Sequence, residues 1–281
     1  MTTQDIIANL AMIKKLKKAA SVKLVEGSWF SLLNDRQNIV SQAGFRVGCG
    51  YAAMLNSLLL NTSAVQVFEK LSGSTDLQRL RQLQKRYGYL PSTNHKKGRR
   101  HRDDGLIAED LLAIYNEIRA DFGLSSLGGC ALERRVTHGE CHKAHAERIH
   151  RLLVDSLMLG EAPILTARSQ AIVNAKCVRL MGHYVTVAEM QKCPNKDGSF
   201  LIGYLDSEDG RSHVAFVYPD PRGFAAYSGH DDQKTFLPDG PYLALAGSEI
   251  CLKTEKQPVS RRTVIYIDHA IVAHNRDHQS R

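Results

Sequence analysis

The sequence predicts an α+β domain in which a helical N-terminal half packs against a C-terminal antiparallel β-sheet. Three observations predict it. Up to Gly160 the apolar residues recur at the three-to-four spacing of helices. Beyond Gly160 they alternate or form short runs, "APILTAR", "HYVTVAEM", "SFLIGYLD", "HVAFVY", "FAAYSG", "PYLALAG" and "RTVIYIDHAIVAH", separated by turn clusters such as "NKDG", "SEDGRS", "PDPRG" and "LPDG". Helices followed by strands, rather than alternating with them, place the two halves as layers facing each other across a cleft.

Taken in order, residues 4 to 20 carry Ile6, Ile7, Leu10, Ile13 and Leu16 at helical spacing, with lysines gathered toward the C-terminal end, where they suit the helix dipole. This reads as a peripheral helix, so residues 1–35 form a lead-in and residues 36–281 one domain, helical over 36–160 and sheet over 161–281. An apolar helix is expected from Tyr51 to Leu60, with helical character resuming from Val65 to Leu71 and from Leu77 to Leu90. "GYLPSTNHKKGRRHRDDG" has the composition of an exposed loop. Residues 105 to 120 and 144 to 158 return to helical period, the second ended by Gly160.

The totals narrow the class of protein. At 281 residues, with 43% hydrophobic and 23% charged residues well mixed, the chain can bury a substantial core and is not of disordered composition. No apolar stretch approaches the roughly 20 residues that cross a bilayer as a helix, so no membrane span is expected. "MTTQDIIANLAMIKKLKKAA" runs from acid to lysines, the reverse of a secretory signal peptide. The expectation is a protein that is cytoplasmic where it is synthesised; export by a machine that needs no cleaved signal would leave no mark here. Six cysteines (Cys49, Cys130, Cys141, Cys177, Cys193 and Cys251) form no CxxC pair, so neither a disulfide framework nor a zinc ribbon is indicated. The net charge of +8 is concentrated in "KKLKK" and "HKKGRRHR" and carries no interleaved aromatics. Those runs read as a solvated helix end and a solvated loop, and nucleic acid is disfavoured as a partner. The rival of another class is a non-catalytic basic binding protein acting through Lys96, Lys97, Arg99 and Arg100.

The chemistry is expected at "SQAGFRVGCGYAAMLNSLLL". A thiol in the first turn of a helix sits at the positive end of the dipole, beside unsatisfied N–H groups, which favours its thiolate. A cysteine nucleophile needs a general base, a group to orient that base, and donors for the oxyanion. Gln42 lies upstream, where its amide can join the Cys49 N–H as oxyanion donor. His183 heads the strand "HYVTVAEM", and the next strand returns across "NKDG" to end in Asp206, so a hairpin brings carboxylate beside imidazole. A second histidine-headed hairpin offers His213 with Asp231 as the alternative base and orienter. The cluster His138, Cys141, His142 and His145 has zinc-ligand residue types, yet no distant pair complements it, and no metal or cofactor is expected.

The order cysteine, histidine, aspartate, with an upstream glutamine, resembles the papain-like cysteine protease superfamily, and most nearly the papain-like effector proteases of plant-pathogenic bacteria. The likeness rests on Ser41, Gln42, Gly48, Cys49, Tyr51 and Ala52 in "SQAGFRVGCGYAA", and on the helix and "API" strand that precede His183. Two departures stand out: "SQAIVNAKCVRLMG" lengthens the link before His183, and no "DP" follows Asp206. The resemblance implies a papain-like fold, catalysis by Cys49, His183 and Asp206 with Gln42 at the oxyanion, no cofactor, and a protein substrate, whether a host protein or a ubiquitin-like conjugate. "CGYAAMLNSLL" and "GHYVTV" are also similar to deubiquitinase-like isopeptidases, and glutamine deamidases and transglutaminases use the same three residue types.

Overall fold

The computed structural model describes residues 29–33, 39–45, 48–61, 64–92, 105–131, 142–173, 176–220, 242–246 and 263–273. The helix expected at 4 to 20, the two basic runs, and "FAAYSG" lie outside these residues. The described elements are β1 (Trp29–Ser31), α1 (Cys49–Leu60), α2 (Val65–Lys70), α3 (Asp76–Leu83) continued by one π-helical turn (Gln84–Gly88), α4 (Ala108–Asp121), β2 (Gly128–Ala131), α5 (His142–Met158), β3 (Ile164–Val173), β4 (Lys176–Gln191), β5 (Phe200–Asp206), β6 (Arg211–Asp220), β7 (Tyr242–Ala246) and β8 (Thr263–Val272).

The expectation of a papain-like α+β domain, with a helical half packed on a C-terminal antiparallel sheet, is corrected. Strands β3 to β8 close into a six-stranded antiparallel barrel in the order β4-β3-β8-β7-β6-β5, with β5 pairing back onto β4. The closure follows from two pairings that no hairpin rule supplies: β8 inserts between β3 and β7, and β5 uses both of its edges. Two further strands come from the front half. β1 extends the sheet beside β4, and β2 pairs with β8. The segment "SQAIVNAKCVRLMG", read as a longer link, instead belongs mostly to β3 and β4, which pair from Ile164↔Thr186 out to Val173↔Lys176.

Period-two alternation places the two cores. Leu165, Ala167, Val185, Val187, Phe200, Ile202, Tyr204, Ala215, Val217, Leu243, Leu245, Ile265 and Ile267 form one apolar cluster with Ala146, Ile149, Leu153 and Leu157 of α5. One helix therefore shares its apolar face with the inward residues of the barrel. A bulge between Val187 and Glu189 shifts the parity of β4, which is why Met190 joins the same cluster. Truncating Leu153, fully buried in this cluster, is expected to lower stability by about 2–5 kcal/mol through the lost transfer energy and the cavity. Chemical denaturation checks it, and a loss under about 1 kcal/mol would place α5 elsewhere.

The other face of β3, β4 and β8 (Ile164, Tyr184, Ile271) meets a second cluster built by α1 to α4, with the parity of β8 shifted by an irregularity between Ile267 and His269. Enclosed on every side, α1 is the buried axis of that layer, with every residue from Gly50 to Leu58 buried. Polar ties fix its height against the barrel. Thr186 Oγ1 donates to the Ala53 carbonyl at 2.8 Å, and Ser57 Oγ to the Ala162 carbonyl at 2.8 Å while accepting from Tyr115 Oη at 2.8 Å. Asn56 accepts from Val40 N–H at 2.7 Å, which draws the preceding segment back along the helix.

Candidate active site

Cys49 is the first residue of α1, and no side chain caps that end. The N-terminal N–H groups are thus left for another acceptor. The Cys49 sulfur takes two backbone N–H bonds, from Gly50 and from Tyr184. The second is available because β4–β5 pairing ends at Thr186↔Leu205, so the Tyr184 N–H lies past the last rung. Gly48 and Gly50 make the close approach possible. A Cβ on Gly48 would overlap the ring and carbonyl of Phe45, and one on Gly50 would lie 3.1 Å from Leu111 Cδ1 and 3.4 Å from Tyr184 Cδ2.

His183 continues the odd positions of Val185 and Val187, and Asp206 the even positions of Phe200, Ile202 and Tyr204. Both stand at the end of the barrel where β4 and β5 part. His183 Nε2 meets Asp206 Oδ1 at 2.7 Å, both residues buried, and Glu208 N–H donates to the same oxygen at 2.9 Å. Bound in this way, the ring has Nδ1 left for Cys49, with which it shares a hydrogen bond. Asp206 closes β5 against Arg211, and the loop between them turns on Gly210 at φ +67°, a left-handed conformation that glycine accepts without strain.

The three groups hold one another's charges. Burial pushes the Cys49 thiol up, but the hydrogen bond and charge of His183, with the two backbone N–H groups, more than reverse it, and the thiol lies below its ordinary range. Burial pushes His183 down, and Asp206 and Cys49 together raise it well above an ordinary imidazole. Burial raises Asp206, and His183 draws it below the usual carboxylate range. The three shifts together favour a thiolate–imidazolium pair held by a carboxylate. The pH dependence follows in sign: reactivity of Cys49 should survive below the ordinary thiol pKa of about 8.5, and the imidazolium should persist above the ordinary histidine value of about 6.5. Alkylation of Cys49 followed from pH 4 to 10 checks this, and a single rise centred near pH 8.5 would contradict it.

Gln42 is tied to the same corner of the molecule. Its N–H donates to the carbonyl of Ser207, next to Asp206, at 2.8 Å, and its carbonyl accepts from Phe45 N–H at 2.8 Å. Its side-chain Oε1 is buried and has no hydrogen-bond partner among the described residues. The alternative base, His213, pairs with Asp209 Oδ2 at 2.8 Å and stacks on Tyr204 with ring centroids 5.5 Å apart. Its expected orienter, Asp231, lies outside the described residues. Of the histidine-rich cluster, His138 and Cys141 also lie outside them. His145 is fully buried, with Nδ1 3.0 Å from Arg148 Nη2. His150, further along α5, is buried edge-on to Phe200 and hydrogen-bonds the Gln191 carbonyl through Nε2 at 2.8 Å. Sequence reasoning missed Tyr184 N–H, Glu208 N–H and Asp209. Only the last carried a signal, as an acid four residues before His213 across a glycine turn.

No family model, no curated protein and no solved structure matches the chain.

Proposed function

We propose that the protein is a thiol hydrolase, a cysteine protease that cleaves a peptide or isopeptide bond through Cys49, His183 and Asp206. The observation that carries the reading is the chain from a half-buried thiol at an uncapped helix start through a buried imidazole to a buried carboxylate, with the thiol lowered and the imidazole raised. The reading rests on the site and not on the architecture, since chemistry of this kind recurs on unrelated scaffolds. Cys49 Sγ attacks the acyl carbon and the imidazolium protonates the leaving amine. Water, deprotonated by the same ring, then releases the acyl group. The Cys49 N–H and the Gln42 amide are the donors assigned to the oxyanion. The residue order and "SQAGFRVGCGYAA" support a bacterial effector acting on host proteins as its biological setting.

The acyl donor distinguishes three outcomes of one mechanism: a backbone peptide, a ubiquitin-type isopeptide, or a glutamine side chain. Mass spectrometry of protein substrates, ubiquitin chains included, separates them as backbone cleavage, loss of a modifier, or a gain of about one mass unit. The site itself is tested by brief iodoacetamide treatment at pH 6 with peptide mapping. Cys49 should label well before Cys193, an exposed thiol in the same molecule. Equal or slower labelling of Cys49 would sink the proposal.

A further inference from the structure

Gln42 holds a buried acceptor without a donor, and the turn that follows Asp206 holds a buried donor without an acceptor. Gln42 Oε1 and Ser207 Oγ are both enclosed and have no hydrogen-bond partner among the described residues, and Ser207 as a whole is 1% exposed. In the two segments that meet here, residues 39–45 and 206–211, no other described side-chain atom is in that state. The backbone brings the pair together: Gln42 N–H donates to the Ser207 carbonyl at 2.8 Å, and Ser41 Cβ lies 3.8 Å from where a Cβ on Gly210 would stand. The turn is fixed around Ser207 by Glu208 N–H on Asp206 Oδ1 at 2.9 Å and by Gly210 N–H on the Asp206 carbonyl at 3.0 Å. An acceptor and a donor are each costly to bury alone, and one hydrogen bond between them, direct or through a single water, removes both costs.

We propose that Ser207 is the positioning residue for Gln42: its hydroxyl donates to Gln42 Oε1 and so turns the amide nitrogen toward the oxyanion. This role rests on the thiol-hydrolase reading. The two ends of a glutamine amide are nearly alike in size and shape, so packing alone does not choose which of them faces the substrate. The choice matters, because the nitrogen donates to a developing oxyanion whereas the oxygen repels it. A donor fixed at the oxygen end makes that choice. The bond is not made in the resting protein, which suits a catalytic hydrogen bond that tightens once substrate is bound. Ser207 follows Asp206 directly, so one short turn sets both the carboxylate that orients the imidazole and the hydroxyl that orients the oxyanion donor.

The experiment compares two reactions of Cys49 in full-length wild type, Ser207→Ala, Gln42→Ala and the double variant. The first is acylation by p-nitrophenyl acetate, in which Sγ bonds the acetyl carbon through a tetrahedral oxyanion and p-nitrophenolate leaves; release in Cys49→Ala is subtracted. The second is alkylation by iodoacetamide at pH 6, a displacement that forms no oxyanion. Ser207→Ala should slow acylation about 3- to 10-fold, the worth of one hydrogen bond. Gln42→Ala should slow it at least about tenfold. In the double variant, loss of the hydroxyl should cost less than about twofold beyond Gln42→Ala, since the amide it positions is gone. Alkylation should stay within about twofold of wild type throughout. Unchanged acylation in either single variant, full additivity in the double variant, or alkylation that falls in step with acylation would each overturn the role of Ser207, the last by placing its effect on the triad. Wild type that alkylates at Cys49 no faster than at Cys193 and releases no p-nitrophenolate through Cys49 would overturn the thiol-hydrolase reading and the role of Ser207 with it.

Discussion

Cys49→Ala should lower turnover of any cleaved substrate on the order of 10⁴- to 10⁶-fold, the loss seen when a nucleophile is removed from a triad of this type. The magnitude follows from mechanism. Without Sγ there is no covalent intermediate, and the two N–H donors and the imidazolium polarise a carbonyl that nothing attacks. The fold should hold, because Cys49 lies at a helix start outside the barrel core and alanine is a good helix former. Thermal unfolding and turnover measured on the same preparation check the prediction. A retained activity above about 10% would remove Cys49 from the chemistry.

The second large effect is expected at His183. His183→Gln keeps a donor for Asp206 but cannot carry the positive charge that stabilises the thiolate. At pH 6 a thiol with a pKa near 8.5 is only about 0.3% ionised, so losing the imidazolium leaves little thiolate to react. The lower intrinsic nucleophilicity of a stabilised thiolate offsets part of that loss, and Cys49 alkylation should still fall at least about fivefold. Turnover should fall further, since the same change deletes the acid that protonates the leaving group. His213→Gln should leave alkylation within about twofold, as its ring is bound to Asp209. Dependence on His213 in place of His183 would move the base to the neighbouring hairpin.

Local signals in the sequence reached the site further than they reached the architecture. Gly-Cys-Gly before an apolar run marks the start of α1, because glycine spacing and helical period are short-range properties. The placement of His183 near Asp206 follows from a hairpin whose turn is written in "NKDG". Barrel closure is not local. The pairing of β8 between β3 and β7 joins Thr263–Val272 to Ile164–Val173, and alternation within each strand fits an open sheet and a closed ring equally well. The three-residue β1 and four-residue β2 are too short to show any period. The outer part of the β3–β4 hairpin reads as a link in "QAIVNAKCV" because its few apolar residues are interrupted by Gln170, Asn174 and Lys176, although Ile172 and Val173 pair there with Cys177 and Lys176. At His213 the expected partner was Asp231, whereas the turn through Gly210 brings the nearer Asp209 to it.

The placement of β8 in the ring makes the candidate site depend on a strand far from it in sequence. Thr263 lies 80 residues beyond His183, yet its strand completes the barrel between β3 and β7. Truncation before Thr263 is thus expected to yield a polypeptide with every residue of the proposed triad and no activated thiol.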